Sequence, residues 1–207
     1  GAVEFYLNCK KAGIKPIIGT EAYICDNHLD HTVDKTKRNR HMVLLAKNEA
    51  GWRNLLKLSS IGYLDGFYYK PRIDMELLAK YSEGIIGLSA CLSGGPSRFL
   101  LDDDVDGAIR RASEYAEILG KDNYFLEIQD HGIDAETKVR QMMPKVASAT
   151  GLGVVCTNDC HYLDKSHFQA HDLLLCIGTN QQYDDPNRWR YDTDQIYLKN
   201  SQEMLEL

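Results

Sequence analysis

Asp159 and His161 stand two residues apart in the run Val154-Val155-Cys156-Thr157-Asn158-Asp159-Cys160-His161-Tyr162, directly after a short apolar stretch of strand character. Side chains alternate along an extended chain, so the two point the same way from a strand exit, where sites are commonly built. A carboxylate beside an imidazole is half of a metal site, and other segments offer donors of the same kinds. Glu21 is a carboxylate inside an otherwise apolar run, where an unpaired charge is costly to bury. Taken alone, a strand whose other face meets water explains it better. Cys91 follows an apolar run in a Ser/Gly loop, a place that suits a thiolate ligand or, more often, a small buried residue. His41 precedes its strand instead of following it, and a surface histidine beside Arg38 and Arg40 has equal weight.

In Leu126-Glu127-Ile128-Gln129-Asp130-His131-Gly132, Glu127, Gln129 and His131 alternate to one side of an extended chain and Asp130 to the other. Substrate binding, or hydrogen bonding to ligand residues, suits these four as well as direct ligation does. His28, His31, His167 and His171 read as loop or helix surface. Mixed His, Asp, Glu and Cys donors favour zinc or manganese over calcium, which prefers oxygen alone. Two such ions about 3.5 to 4 Å apart would clamp a phosphate ester and activate water for in-line attack. The chemistry expected is phosphoester hydrolysis.

Those residues need elements to carry them, and strand and helix signals alternate along the chain. Strands are expected at Pro16–Ile24, Met42–Ala46, Ile85–Leu88, Tyr124–Ile128, near Val154 and at Gln195–Leu198. Helical spacing covers an opening segment with Phe5, Cys9 and Ala12 on one face, closed by Gly13. It recurs at Glu49–Ile61, Met75–Lys80, Val105–Leu119, Ala135–Ala149 and Ser166–Cys176, and restarts at Ser201. A polar loop spans Cys25–Arg40, and a Gly/Tyr-rich turn precedes Met75. This alternation predicts parallel strands wrapped by helices, without internal repeats.

With 207 residues, 43% of them hydrophobic, the chain can bury the core of one domain. Its net charge of −6, with 24 dispersed basic residues, argues against a free-standing DNA binder but suits an acidic domain within a larger DNA-handling protein. The six cysteines lack paired zinc spacing and read as reduced thiols of a cytoplasmic protein. No apolar run approaches the roughly 20 residues that cross a bilayer, so no membrane role is expected. The start without Met and the helix beginning at the last residues read as a piece of a longer chain.

Seven ordered segments together resemble a known family. They are Gly1-Ala2-Val3-Glu4-Phe5-Tyr6, Gly13-Ile14-Lys15-Pro16-Ile17-Ile18-Gly19-Thr20-Glu21, His41-Met42-Val43-Leu44-Leu45-Ala46-Lys47-Asn48, Tyr69-Lys70-Pro71-Arg72-Ile73-Asp74, Ser89-Ala90-Cys91-Leu92-Ser93-Gly94, Leu126 to Gly132 and Thr157 to Tyr162. The set is similar to the PHP (polymerase and histidinol phosphatase) domain of the alpha subunit of bacterial DNA polymerase III. The tail, with Asp185-Pro186-Asn187-Arg188, Asp192-Thr193-Asp194-Gln195 and Tyr197-Leu198-Lys199, resembles the segment leading towards the polymerase palm.

The resemblance implies an α/β fold, a distorted (β/α)7 PHP-type TIM-like barrel that is N-terminally incomplete, with residues 1–180 as the PHP domain and 181–207 as the palm-directed segment. It places metal ligands at Glu21, His41, Cys91, Asp159 and His161, with Asp159 and His161 also catalytic, and Glu127, Gln129, Asp130 and His131 supporting them or binding substrate. Zn2+ or Mn2+ is implied, two or three ions in the full domain. Members with the full ligand set are implied to act as 3′–5′ exonucleases, and those that lost ligands to serve as scaffolds that dock a proofreading subunit. The implied partners are the remainder of the polymerase alpha subunit, DNA and other replicase subunits. The family's His-x-His pair, an Asp and a further His fall before Gly1, so the isolated chain is expected to be inactive, with exposed strand edges. A free-standing histidinol-phosphatase-like enzyme is a weaker reading, because the segments around Lys70 and Asp185 have no use there.

Overall fold

The strands arise where β-branched and aromatic residues cluster, and the helices where apolar residues recur every three or four positions. The computed structural model describes residues 1–32 and 39–207. In chain order the elements are α1 (Ala2–Lys11), β1 (Gly19–Cys25), β2 (Arg40–Ala46), α2 (Glu49–Leu64), β3 (Phe67–Tyr68), β4 (Lys70–Asp74), α3 (Met75–Lys80), β5 (Ile85–Leu88), α4 (Gly95–Leu101), α5 (Val105–Leu119), β6 (Tyr124–Ile128), α6 (Asp134–Thr150), β7 (Gly153–Cys156), α7 (Phe168–Thr179) and α8 (Ser201–Leu205).

The seven strands form one sheet in the order β3-β4-β1-β2-β5-β6-β7. This α/β arrangement agrees with the expected PHP-type architecture. Among the described residues β3 and β7 each have one neighbour, so the sheet is open. The expectation of parallel strands throughout is corrected at β2. Pairs β1/β4, β5/β6 and β6/β7 are parallel, whereas β2 runs antiparallel to both β1 and β5. Among the described residues no helix lies between β1 and β2, and antiparallel neighbours need no crossover.

Two elements were hidden from sequence periodicity. The Tyr-rich turn is a hairpin of β3 and β4, and Pro71 lies just before the Arg72–Asp74 stretch that pairs with β1, where no ladder N–H is needed. The Ser/Gly loop after β5 passes straight into α4, whose first turn carries Pro96. The expected strand at Gln195–Leu198 reduces to a single bridge between Tyr162 and Tyr197. The loop expected between β1 and β2 lies partly outside the described residues, Arg38 included.

One face of the sheet buries Ile24, Met42, Leu44, Ile73, Ile85, Tyr124 and Leu126 against the helices. Leu55 and Leu58 of α2, Ala108, Ala112, Tyr115 and Leu119 of α5, and Val139, Met143 and Val146 of α6 cover them. Each of these helices presents a single apolar stripe. Asn48 caps α2, accepting the Gly51 N–H at 3.0 Å, and Gly51 lies so close to Gly84 that an added Cβ would sit 1.8 Å from the Gly84 carbonyl oxygen. By register, the opposite face of the sheet carries Glu21, Tyr23, His41 and Glu127.

Two helices remain open. The face expected for Phe5, Cys9 and Ala12 is not buried: α1 has no buried residue. On α7, Asp172 and Cys176 are buried while Leu173, Leu174 and Ile177 face outward. No helix is long and apolar enough to cross a membrane among the described residues.

Residues 181–200 form an extended strap back across the sheet's end. Arg188 makes a paired salt bridge to Asp172, at 2.6 and 2.5 Å, and its Nε–H donates to the Tyr183 carbonyl. Farther on, the Asn158 side-chain amide donates to the carbonyls of Gln195 and Tyr197, the His161 N–H donates to Ile196 and the Thr193 hydroxyl donates to His131.

Candidate metal centre

The reversal of β2 resolves the awkward position of His41. Because β2 runs against β1 and β5, its beginning lies beside their exits, so a residue at its start shares an end of the sheet with residues after β5. The main chain confirms the neighbourhood: the His41 N–H donates to the Ser93 carbonyl at 3.0 Å, and His41 bridges Gly94. On β1, Glu21 pairs with Val43 and Tyr23 with His41, which puts Glu21 diagonally opposite His41 on one face.

Glu21 Oε1 lies 2.5 Å from His41 Nδ1, and Cys91 Sγ lies 3.8 Å from the same nitrogen. The three donor atoms are all within 4.8 Å of one another. Glu21 and His41 support each other's charge. Hydrogen bonding to Cys91 and Glu21 raises His41 to about 9 despite partial burial. The His41 hydrogen bond holds the Glu21 carboxyl below its usual range.

Cys91 is placed by a loop with little freedom. Ala90 takes a left-handed conformation (φ 64°), and its N–H donates to a carboxylate oxygen of buried Glu127. The Gly94 N–H donates to the Cys91 carbonyl at 2.9 Å, and a Cβ on Gly94 would stand 1.9 Å from the Ser89 carbonyl oxygen. Glu127 also accepts from Thr157 at 2.7 Å, and its own N–H donates to Ser89 Oγ at 2.7 Å. It thus ties the β5 loop to the exits of β6 and β7. Burial raises its carboxyl above the usual range.

The remaining residues of the Leu126–Gly132 segment separate. Gln129 donates to Thr157 at 3.0 Å, on the side of Glu127. His131 does not follow them: it is buried, with Nδ1 2.7 Å from Glu136 and Nε2 2.8 Å from the Asn158 carbonyl oxygen. Asp130 pairs with Arg140. The alternation expected here ends with β6 at Ile128, because the chain turns towards α6.

Asp159 and His161 also depart from the extended geometry expected of them. The ladder of β7 ends at Cys156, and Asp159 has a left-handed backbone (φ 41°). His161 Nδ1 is nonetheless 3.9 Å from an Asp159 carboxylate oxygen and 2.6 Å from the Asp159 carbonyl oxygen. Burial raises the Asp159 carboxyl, and the charges of His161, Glu21 and His41 act on it; among the described residues, however, the close donor group comprises Glu21, His41 and Cys91 without Asp159 or His161.

Two histidines expected on the surface do structural work. His28 Nδ1 lies 2.5 Å from Asp74, which also caps α3. His171 packs its ring against Tyr162, His161 and Tyr191. Sequence reasoning missed Thr157 and Tyr191. The Tyr191 hydroxyl lies 2.8 Å from His161 Nε2, and burial, with the charges of Asp159, Cys91 and Glu21, pushes it up to about 12. No spacing signal marked Tyr191, since the strap has neither helical nor strand period.

The donor set fits zinc or manganese. Oxygen, nitrogen and sulfur converge from β1, β2 and the β5 loop, and donors around one zinc stand roughly 3.3 to 3.8 Å apart. Small movements of Glu21 and Cys91 would bring the trio to that spacing. The model of the PHP domain matches residues 1–131. The DNA polymerase III subunit alpha of Treponema pallidum (strain Nichols) is 45% identical over 211 residues, covering 100% of this chain and 18% of that protein. Those of Borreliella burgdorferi and Thermus aquaticus are 43% and 44% identical, covering 100% and 99% of this chain and 18% and 17% of their own lengths. The chain thus spans less than a fifth of the curated relatives it matches. By the residues matched, and in keeping with the seven-stranded α/β fold, this chain belongs to the PHP domain family.

Proposed function

We propose that this chain carries a metal-dependent phosphoesterase centre acting on DNA 3′ ends within a replicative polymerase of the DNA polymerase III alpha type. The observation that supports this best is the convergence of Glu21, His41 and Cys91, from three separate segments, to within 4.8 Å. The similarity of the whole chain to DNA polymerase III alpha subunits supports the replicative setting.

In this reading Glu21, His41 and Cys91 hold zinc or manganese, with Asp159 and His161 contributing from the exit of β7. Bound metal would polarise a phosphoryl oxygen and lower the pKa of water. The chain's own residues supply the rest. Glu127 fixes the Cys91 loop through Ala90, and Thr157 holds Glu127 and Gln129 in place.

Elemental analysis of the chain purified without chelator tests this reading, beside a Glu21→Gln/Cys91→Ser variant and an Asp159→Ala/His161→Ala variant. Near-stoichiometric zinc or manganese in the parent, lost from the first variant and reduced in the second, is expected. Parent chain that takes up no metal from buffered zinc would refute it. A scaffold that joins the remainder of a polymerase and other replicase subunits is the second reading. It is favoured by the outward Leu173, Leu174 and Ile177 of α7. Metal uptake by the full-length protein without hydrolysis of single-stranded DNA from its 3′ end would move the balance to it.

A further inference from the structure

His161 has one nitrogen free for a metal, and the strap already occupies it. Nδ1 lies 2.6 Å from the Asp159 carbonyl oxygen, which can only accept, so Nδ1 carries the proton and Nε2 holds the lone pair. That is the arrangement that prepares a histidine for ligation through Nε2. The Tyr191 hydroxyl sits 2.8 Å from that lone pair and donates to it.

Tyr191 is held there from several sides. Its ring packs edge-on against His161 and against Trp189, both at 4.9 Å, and tilted against His171 at 5.7 Å. The strap is fastened before it by the buried Arg188–Asp172 pair and after it by Thr193 and Ile196.

We propose that Tyr191 is a built-in competitor for the metal at His161, its hydroxyl holding Nε2 as a placeholder that metal must displace. The inference rests on the metal-centre reading above and adds a residue outside the ligand set. Displacement breaks one O–H···N hydrogen bond and transfers no proton: the phenol keeps its hydrogen, and the Nε2 lone pair passes to the metal. The strap then carries a free hydroxyl at the rim of the centre.

Zinc titration of the 207-residue chain and of its Tyr191→Phe variant, against a competing chelating indicator at one pH, tests this. Phenylalanine keeps the ring packing and removes only the hydroxyl. Removing one competing hydrogen bond should tighten zinc binding about two- to tenfold. Equal or weaker binding by a variant with unchanged near-ultraviolet circular dichroism would overturn the proposal, since a residue that merely supports the centre gives that result. Zinc binding by neither chain would instead sink the metal-centre reading, and the inference with it.

A second measurement leaves Tyr191 in place. In the Trp52→Phe chain Trp189 is the sole tryptophan and lies against Tyr191. Its emission should change in step with zinc loading, and silence while the indicator reports loading would count against displacement.

Discussion

His131 and Glu136 form a buried pair outside the metal ligands, and Nε2 of the same ring reaches the carbonyl preceding Asp159. Burial pushes the His131 pKa down, but Glu136 and the Asn158 carbonyl outweigh it and leave the histidine raised. Its contribution to stability is therefore full below the ordinary histidine value of 6.5 and is lost as pH rises through the raised value. Urea unfolding of the parent and of Glu136→Gln should differ by on the order of 3 kcal/mol at pH 6, with the gap narrowing in alkaline buffer. A pH-independent gap would contradict that pairing. At this scale the sequence was informative about residue type and much less so about partners. Glu21, His41 and Cys91 each looked individually ordinary, and only the strand order of the fold makes them neighbours. Alternation along the chain predicts an extended Asp159–His161 pair, whereas Asp159 has a left-handed backbone and the His161 ring lies against the Asp159 carbonyl.

The loop between β5 and α4 shows how an element with no periodic signal sets the geometry of a site. Gly94 has no room for a side chain beside the Ser89 carbonyl, so Gly94→Ala should shift the loop. A loss of about 1 to 3 kcal/mol in thermal or urea unfolding is expected, together with weaker zinc binding through Cys91. Retained stability and affinity would show that the loop can relax. The strap is the second such element. Asp172 is held below the usual carboxylate range by its hydrogen bond to Arg188, so its stabilising contribution is present above the ordinary value of 3.8 and is lost as pH falls through the lowered one. Asp172→Asn should raise hydrogen exchange and proteolytic nicking in residues 181–199 while sparing α5 and α6, because these contacts fasten the strap and not the core. Helices with a single apolar stripe and strands rich in β-branched residues were legible in the sequence. The β3–β4 hairpin, α4 and the strap were not, since Pro, Gly and Tyr carry no period.

Over the whole molecule, burial is uneven. A contiguous core lies between one sheet face and α2, α4, α5 and α6, while α1 and the outer side of α7 leave Val3, Phe5, Leu7, Leu174 and Ile177 exposed. Apolar surface of that extent drives association. Sedimentation velocity should show mass rising with concentration, and a Leu174→Lys/Ile177→Lys variant should reduce the effect if α7 is the contact. An unchanged profile would place the contact elsewhere, with α1 the next to test. The fold class was readable from the order of segments because β-α alternation limits the possible layers. The direction of β2 was not, since polarity is set by the connection and not by the strand's own residues. The convergence of residues 21, 41 and 91 gives a bound ion a topological role as well. It would act as a clasp joining β1, β2 and the β5 loop, a reversible cross-link that opens only when the sheet does. Thermal stability should then climb with the logarithm of free zinc, making the fold itself a gauge of metal supply.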